Sequence, residues 1–161
     1  MIDFAVIGSG ISGATISNKL NKKYSIKVFE KAKGVGGRSS FKRYKDKVGF
    51  DHGLQYISPK SKEFKSFTKK LIKKRVIKHW TGNHEFLNER VKKKKKHIKL
   101  IGVRGNNDIS KHLLKNVNCD FQSELSKIER QKGYWTLKFK DNSITYSKNL
   151  IITAPFPQVK K

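Results

Sequence analysis

An α/β fold built on a parallel strand–helix–strand unit is what this chain predicts, and three observations carry that reading. Ile2-Asp3-Phe4-Ala5-Val6-Ile7 is a short run, apolar except for Asp3, that enters Gly8-Ser9-Gly10-Ile11-Ser12-Gly13, a G-x-G-x-x-G turn. A helical stretch from Ile11 to about Lys22 follows, then a second strand from Ser25 to Phe29 that ends on Glu30. Far downstream, Leu150-Ile151-Ile152-Thr153-Ala154-Pro155 reads as a buried final strand, closed by a proline that cannot donate to a ladder.

The order of strand, glycine turn, helix, strand and acid is that of a Rossmann-like dinucleotide-binding βαβ unit, and each position has a physical reason. Gly8 allows the tight turn, Gly10 carries no Cβ to block a pyrophosphate, and Gly13 lets helix and strand pack closely. The N–H groups opening the helix face the phosphates, whose charge the helix dipole favours. Glu30 stands where a carboxylate can accept hydrogen bonds from ribose hydroxyls.

The bulk numbers narrow the function classes. A chain of 161 residues is one ordinary domain or slightly more. Its single cysteine, Cys119, excludes an internal disulfide and reads as a small core residue in the strand Val117–Phe121. No Cys/His spacing suggests a metal site, so none is expected. The first residues lack a basic leader, and no stretch approaches the roughly 18 apolar residues of a membrane span, so a cytoplasmic setting without membrane contact is expected. The net charge of +26 comes overwhelmingly from lysine rather than arginine, and base readout leans on arginine. A lysine-coated surface with weak attraction to polyanions, and no specific nucleic-acid partner, is the expectation.

Between the two ends, the elements follow in order. Lys31 to Ser40 holds a second glycine loop, Gly34-Val35-Gly36-Gly37-Arg38, with Arg38 placed to reach a phosphate from another direction. Phe41–Tyr44 and Val48–Phe50 suggest a hairpin with Asp46 in its turn. Phe50 to Ile57 is a glycine-interrupted strand or bend, in which His52 reads as a structural hydrogen-bonding residue rather than a base. Ser61 is a candidate N-cap for a helix running to about Arg75. Phe64, Phe67, Thr68, Leu71 and Ile72 lie on one face of it, and Lys62, Lys65, Lys69 and Lys73 on the other. Strand Val76–Trp80, a turn at Thr81–His84, a short strand at Phe86-Leu87 and an exposed loop at Lys92–Lys96 come next. Strand Ile98–Val103 and loop Arg104-Gly105-Asn106-Asn107 lead to a helix from Asp108 to about Lys115, which turns Ile109, Leu113 and Leu114 inward. The last third is β-rich. Strands Glu124–Ile128 and Tyr134–Lys140 flank Gln131-Lys132-Gly133, a turn at Asp141-Asn142 follows, and Ile144–Tyr146 precedes the final strand. Alternation puts Trp135, Leu137 and Phe139 on one face, with Thr136 and Lys138 opposite.

With these motifs assembled, the chain resembles the N-terminal half of renalase-like, FAD-dependent NAD(P)/amine oxidoreductases, a branch of the flavin amine oxidase superfamily. The match rests on Val6–Gly13, Val28–Lys31 with Gly34–Arg38, Phe50–Tyr56, Ile101–Asn107 and Ile151–Gln158. The resemblance implies that Gly8, Gly10, Ile11, Ser12 and Gly13 hold the FAD diphosphate, and that Glu30, with Lys31 beside it, holds the adenosine ribose. It implies that Gly37 and Arg38 back the phosphates, that Gly53, Leu54 and Gln55 approach the flavin ring, that Leu125, in the strand after the helix, bonds the adenine through its backbone, and that Ala154 and Pro155 end the returning strand. No catalytic side chain is named. By the same resemblance, residues 1–58 and 104–161 form a discontinuous, incomplete FAD-binding domain, and residues 59–103 begin an inserted substrate domain with a β-rich portion. The rest of that domain and the C-terminal segment are absent, so the fold is expected to be truncated at the C-terminus.

The implied activity is hydride transfer to FAD from a nicotinamide, with NAD(P)H as a substrate, or from an amine. The implied partners are a small-molecule substrate and a second chain that supplies the missing half. Two other readings stand beside it. One is a Rossmann protein that binds NAD(P) itself, against which the second glycine loop argues. The other is a lysine-rich nucleic-acid-binding module, which would need a basic groove interleaved with aromatics.

Overall fold

The computed structural model describes residues 1–44, 48–81 and 98–155. The elements run β1 (Ile2–Ile7), α1 (Ile11–Leu20), β2 (Ile26–Glu30), β3 (Phe41–Tyr44), β4 (Val48–Asp51), α2 (Lys62–Lys73) and β5 (Ile77–His79). They continue with β6 (Leu100–Gly102), α3 (Asp108–Leu113), β7 (Asn118–Phe121), β8 (Leu125–Gln131), β9 (Tyr134–Phe139) and β10 (Ile144–Ile152). The turn at Asp46, the turn through Gly82–His84, the strand at Phe86-Leu87, the lysine run Lys92–Lys96 and the motif residues Phe156–Gln158 lie outside the described residues.

One sheet has the order β7-β2-β1-β10-β9-β8, and two hairpin sheets, β3-β4 and β5-β6, accompany it. β1 is parallel to both β2 and β10, and β7 is parallel to β2. The fold is thus mixed α/β with a parallel centre. Its centre is the predicted βαβ unit.

Side-chain alternation along the central strands divides the packing into two layers. Val6, Val28 and Ile26 point into a core made with Ala14 of α1, Leu71 of α2 and Ile109 of α3, with Phe4 and Ile151 packed against it. Ala5 and Phe29 point the other way, to Leu137 and Phe139 of β9, with Ile7 and Leu150 alongside. The Phe29 and Phe139 ring centroids are 4.6 Å apart. In a flat sheet β2 and β9 would stand three strand spacings apart, about 14 Å. The β8–β9 hairpin therefore folds back over the sheet face that the helices leave open.

The C-terminal strand differs from the sequence expectation. Ile144–Tyr146 and Leu150–Ile152 are one strand of 9 residues, antiparallel to β9 at its start and parallel to β1 at its end. The polar trio Ser147-Lys148-Asn149 looks like a break, but its groups find partners in place. Ser147 Oγ donates to Asn149 O (2.7 Å), Asn149 Nδ2 donates to Asp3 O (3.0 Å), and Lys148 Nζ pairs with Asp3 (2.9 Å). Thr136 also departs from the simple in–out pattern. It is buried, with Glu129 and Tyr146 as its cross-strand neighbours.

α2 begins where the cap predicts: Ser61 Oγ accepts from the Phe64 N–H at 3.1 Å. Thr68 and Leu71 are buried and the four opposing lysines exposed, but Phe64 stays 39% exposed and stacks on Phe67 instead of entering the core. Among the described residues, no helix is long and apolar enough to cross a membrane.

Candidate functional site

The first glycine turn sits at the carboxyl ends of β1 and β2. The Gly8 N–H donates to Phe29 O (2.9 Å), and Thr153 Oγ1 donates back to Ile7 O (2.9 Å), locking the turn between three strands. A Cβ on Gly13 would lie 2.0 Å from Gly8 O, so glycine there is what allows helix and strand to touch. Gly10 is different. It is the N-cap of α1 with an ordinary extended backbone (φ −66, ψ 178), and among the described residues a Cβ would meet nothing nearer than Gly37 Cα at 3.8 Å. The Ile11, Ser12 and Gly13 N–H groups have no acceptor within the helix by geometry, and no side chain caps them.

Glu30 is 8% exposed and tied into this turn. Its Oε2 accepts from Ser9 N–H (2.9 Å) and Ser9 Oγ (2.7 Å), and Oε1 accepts from Ala32 N–H (2.9 Å). A carboxylate has about four acceptor positions, so roughly one remains open to a ligand hydroxyl. Ser9 escaped the sequence reading because the G-x-G-x-x-G pattern leaves that position free.

The second glycine loop packs directly on the first. Gly36 N–H donates to Ser9 O (3.2 Å), and Gly10 and Gly36 form a parallel bridge. The loop then makes a 3-10 turn, Gly37–Ser39, that leaves Gly37 and Arg38 exposed beside the opening at Gly10. Arg38 O accepts from Leu54 N–H (2.9 Å), which brings Gly53, Leu54 and Gln55 to the same edge.

That third segment is held from behind by Asn106, completely buried, a residue of the Ile101–Asn107 motif to which the sequence assigns no role. Its Nδ2 donates to Leu54 O (2.7 Å) and Gln55 O (3.3 Å), and its Oδ1 accepts from Gly102 N–H (2.9 Å). Its own N–H donates to Asp51 Oδ1 at 2.7 Å. Three of the four partners lie 51 to 55 positions away, so no local pattern could announce them.

The remaining positions fall as follows. Ala154 is half-buried, its backbone N within 3.7 Å of where a Gly8 Cβ would be. Lys31 is exposed beside Glu30. Leu125 does not lie in the strand that follows the helix. That strand is β7, and Leu125 opens β8, where its side chain packs on the Phe29–Phe139 cluster. It reaches the site only indirectly, two residues beyond Ser123, whose N–H donates to Glu30 O (2.9 Å). His52 is exposed, with Nε2 3.0 Å from Ser40 Oγ. Cys119 is half-buried, and burial, with Asp120 nearby, pushes its thiol up to about 11. A resting thiol of that kind is a poor nucleophile.

Residues 6–71 match the family model described as NAD(P)-binding Rossmann-like domain. The fold is Rossmann-like. Over 54 residues the chain is 52% identical to an uncharacterized protein of Methanocaldococcus jannaschii, a match covering 34% of this chain and 14% of that protein. A putrescine oxidase double mutant from a redesign of cofactor binding superimposes with a TM-score of 0.70 at 12% identity, over 98% of this chain and 59% of that one. Tetracycline destructase Tet(51) superimposes with a TM-score of 0.59 at 17% identity, over 98% of this chain and 40% of that one. The chain thus spans only part of the length of each of these three proteins.

Proposed function

We propose that this chain is the FAD-binding portion of a flavin-dependent oxidoreductase. The observation that carries the reading is Gly10: neither its backbone angles nor the described residues around it require glycine, and the space it leaves open is the room a ligand would use. That space lies over the α1 N-terminus, between two glycine loops, and suits a diphosphate. Ile11, Ser12 and Gly13 would donate their N–H groups to it, Gly37 and Arg38 would close over it, and Glu30, beside Lys31, would take a ribose hydroxyl with its spare acceptor position. Gly53, Leu54 and Gln55 line the edge where a flavin ring would project, and Ala154 borders Gly8. Adenine contact through the Leu125 backbone remains part of the proposal.

Bound there, FAD would supply the acceptor for a hydride from a nicotinamide or amine substrate. This chain's own part is to bind and orient it. The rest of a substrate domain, beginning within residues 59–103, would come from further polypeptide, on this chain or a second one. A cytoplasmic setting belongs to the proposal, supported by a chain with a single cysteine. The fold likeness to an oxidase favours FAD, whereas the matched family model names NAD(P). The second glycine loop weighs for FAD, because a bound NAD would not need it.

The test is to purify the chain, add FAD, remove unbound flavin and record the visible spectrum, with NAD+ and NADP+ titrated separately. A retained flavin spectrum that excess NAD+ does not displace is the expected result. Binding of NAD+ with no retained flavin overturns the FAD reading in favour of the nicotinamide one.

A further inference from the structure

We infer that Asn106 is a positioning residue for the flavin-ring end of the cradle, an inference that rests on the FAD reading above. Its four hydrogen bonds reach Asp51, Leu54, Gln55 and Gly102, and none reaches Gly8–Gly13 or Glu30. The same turn of chain also holds the second glycine loop, since Asn107 Nδ2 donates to Val35 O at 3.4 Å. Leu54 in turn donates to Arg38 O. Asn106 and Asn107 therefore set the spacing between the loop behind the diphosphate and the segment proposed to face the ring.

The chemistry requires an amide. The buried position must donate to two carbonyls and accept from an N–H at once, which asparagine does with one planar group. Aspartate at 106 would keep the acceptor but turn a carboxylate toward Leu54 O and Gln55 O, pushing that segment away. The adenosine-diphosphate end would be left as it is. ADP and FAD share that end, and only FAD reaches residues 53–55, so the two ligands separate positioning from general damage.

The experiment titrates FAD and ADP into the full chain and into Asn106→Asp and Asp51→Ala, with circular dichroism melts alongside. Asp51→Ala leaves the Asn106 side chain in place and removes only the acceptor of its N–H, so it decides the matter should Asn106→Asp fail to fold. The expected result is FAD weakened about tenfold or more and ADP held within about twofold in each folded variant, with the bound-flavin band shifted toward that of free FAD. Equal losses for both ligands, or no loss for either, overturn the inference and leave the FAD reading standing. A wild-type chain that binds neither ligand overturns the FAD reading itself, and this inference with it.

Discussion

The two ends of the first glycine turn look equivalent in the sequence and are opposite in the structure. At Gly13 the protein leaves no room: a Cβ would lie 2.0 Å from Gly8 O and 3.0 Å from Thr153 Oγ1. At Gly10 the nearest atom would be 3.8 Å away, an ordinary contact. One glycine serves the fold, by letting α1 seat against β1. The other is required by none of the described residues, and that difference is the strongest sign of a ligand. A motif can therefore be divided residue by residue into what folding requires and what binding requires.

The sharpest way to break the comparison is Gly13→Ala. It is expected to cost about 3 kcal/mol or more, because the new methyl must displace backbone rather than a flexible side chain. A denaturant melt within error of wild type would show that the helix can move away freely. Next in size is Glu30→Ala. It leaves the buried Ser9 N–H, and the Ala32 N–H in the exposed loop after β2, without their acceptor, an expected loss of about 1–3 kcal/mol by the same melt.

Smaller effects test the frame around the turn. The Asp3 carboxyl is held well below its ordinary value, chiefly by Lys148 and then by Ser25. Stability from a depressed carboxyl is present above its ordinary pKa near 3.8 and lost as pH falls through the lower folded value. Asp3→Asn should therefore flatten the acid limb of a melting-temperature profile below about pH 4; an unchanged limb would show that the contacts to β10 contribute nothing. For Cys119 the sign is reversed. Its raised thiol favours the folded state until pH rises from about 9 toward 11, where that contribution is lost. Iodoacetamide at pH about 9 should alkylate the native chain at least roughly tenfold more slowly than the unfolded one.

What could be read from the sequence was what is encoded locally. Ile2 to Glu30 declares itself through a run of apolar residues, spaced glycines and a terminal acid. The α2 stripe and the Ser61 cap declare themselves through helical period. What stayed hidden depends on distant partners. Ser147–Asn149 reads as a break until Asp3 is seen beside it. Phe29 gives no hint that Phe139 will fold across to meet it. The Asn106 side chain makes three hydrogen bonds, as many as the Glu30 carboxylate, yet in the sequence it is one residue of a polar loop. Leu125 opens β8, while the strand directly after the helix is β7, which Val117–Phe121 already marks in the sequence.

The most direct measurement of the central claim pairs a melt with an FAD titration on wild type and Gly10→Ala. The φ of −66 at position 10 suits alanine, and the gain from a stiffer unfolded chain offsets alanine's poorer fit at an N-cap, so the variant should melt within a few degrees of the wild type. FAD affinity should fall at least about tenfold in the same sample. Undiminished FAD binding in that variant, or a melt that collapses as Gly13→Ala is expected to, would contradict the claim that the opening at Gly10 exists for a dinucleotide.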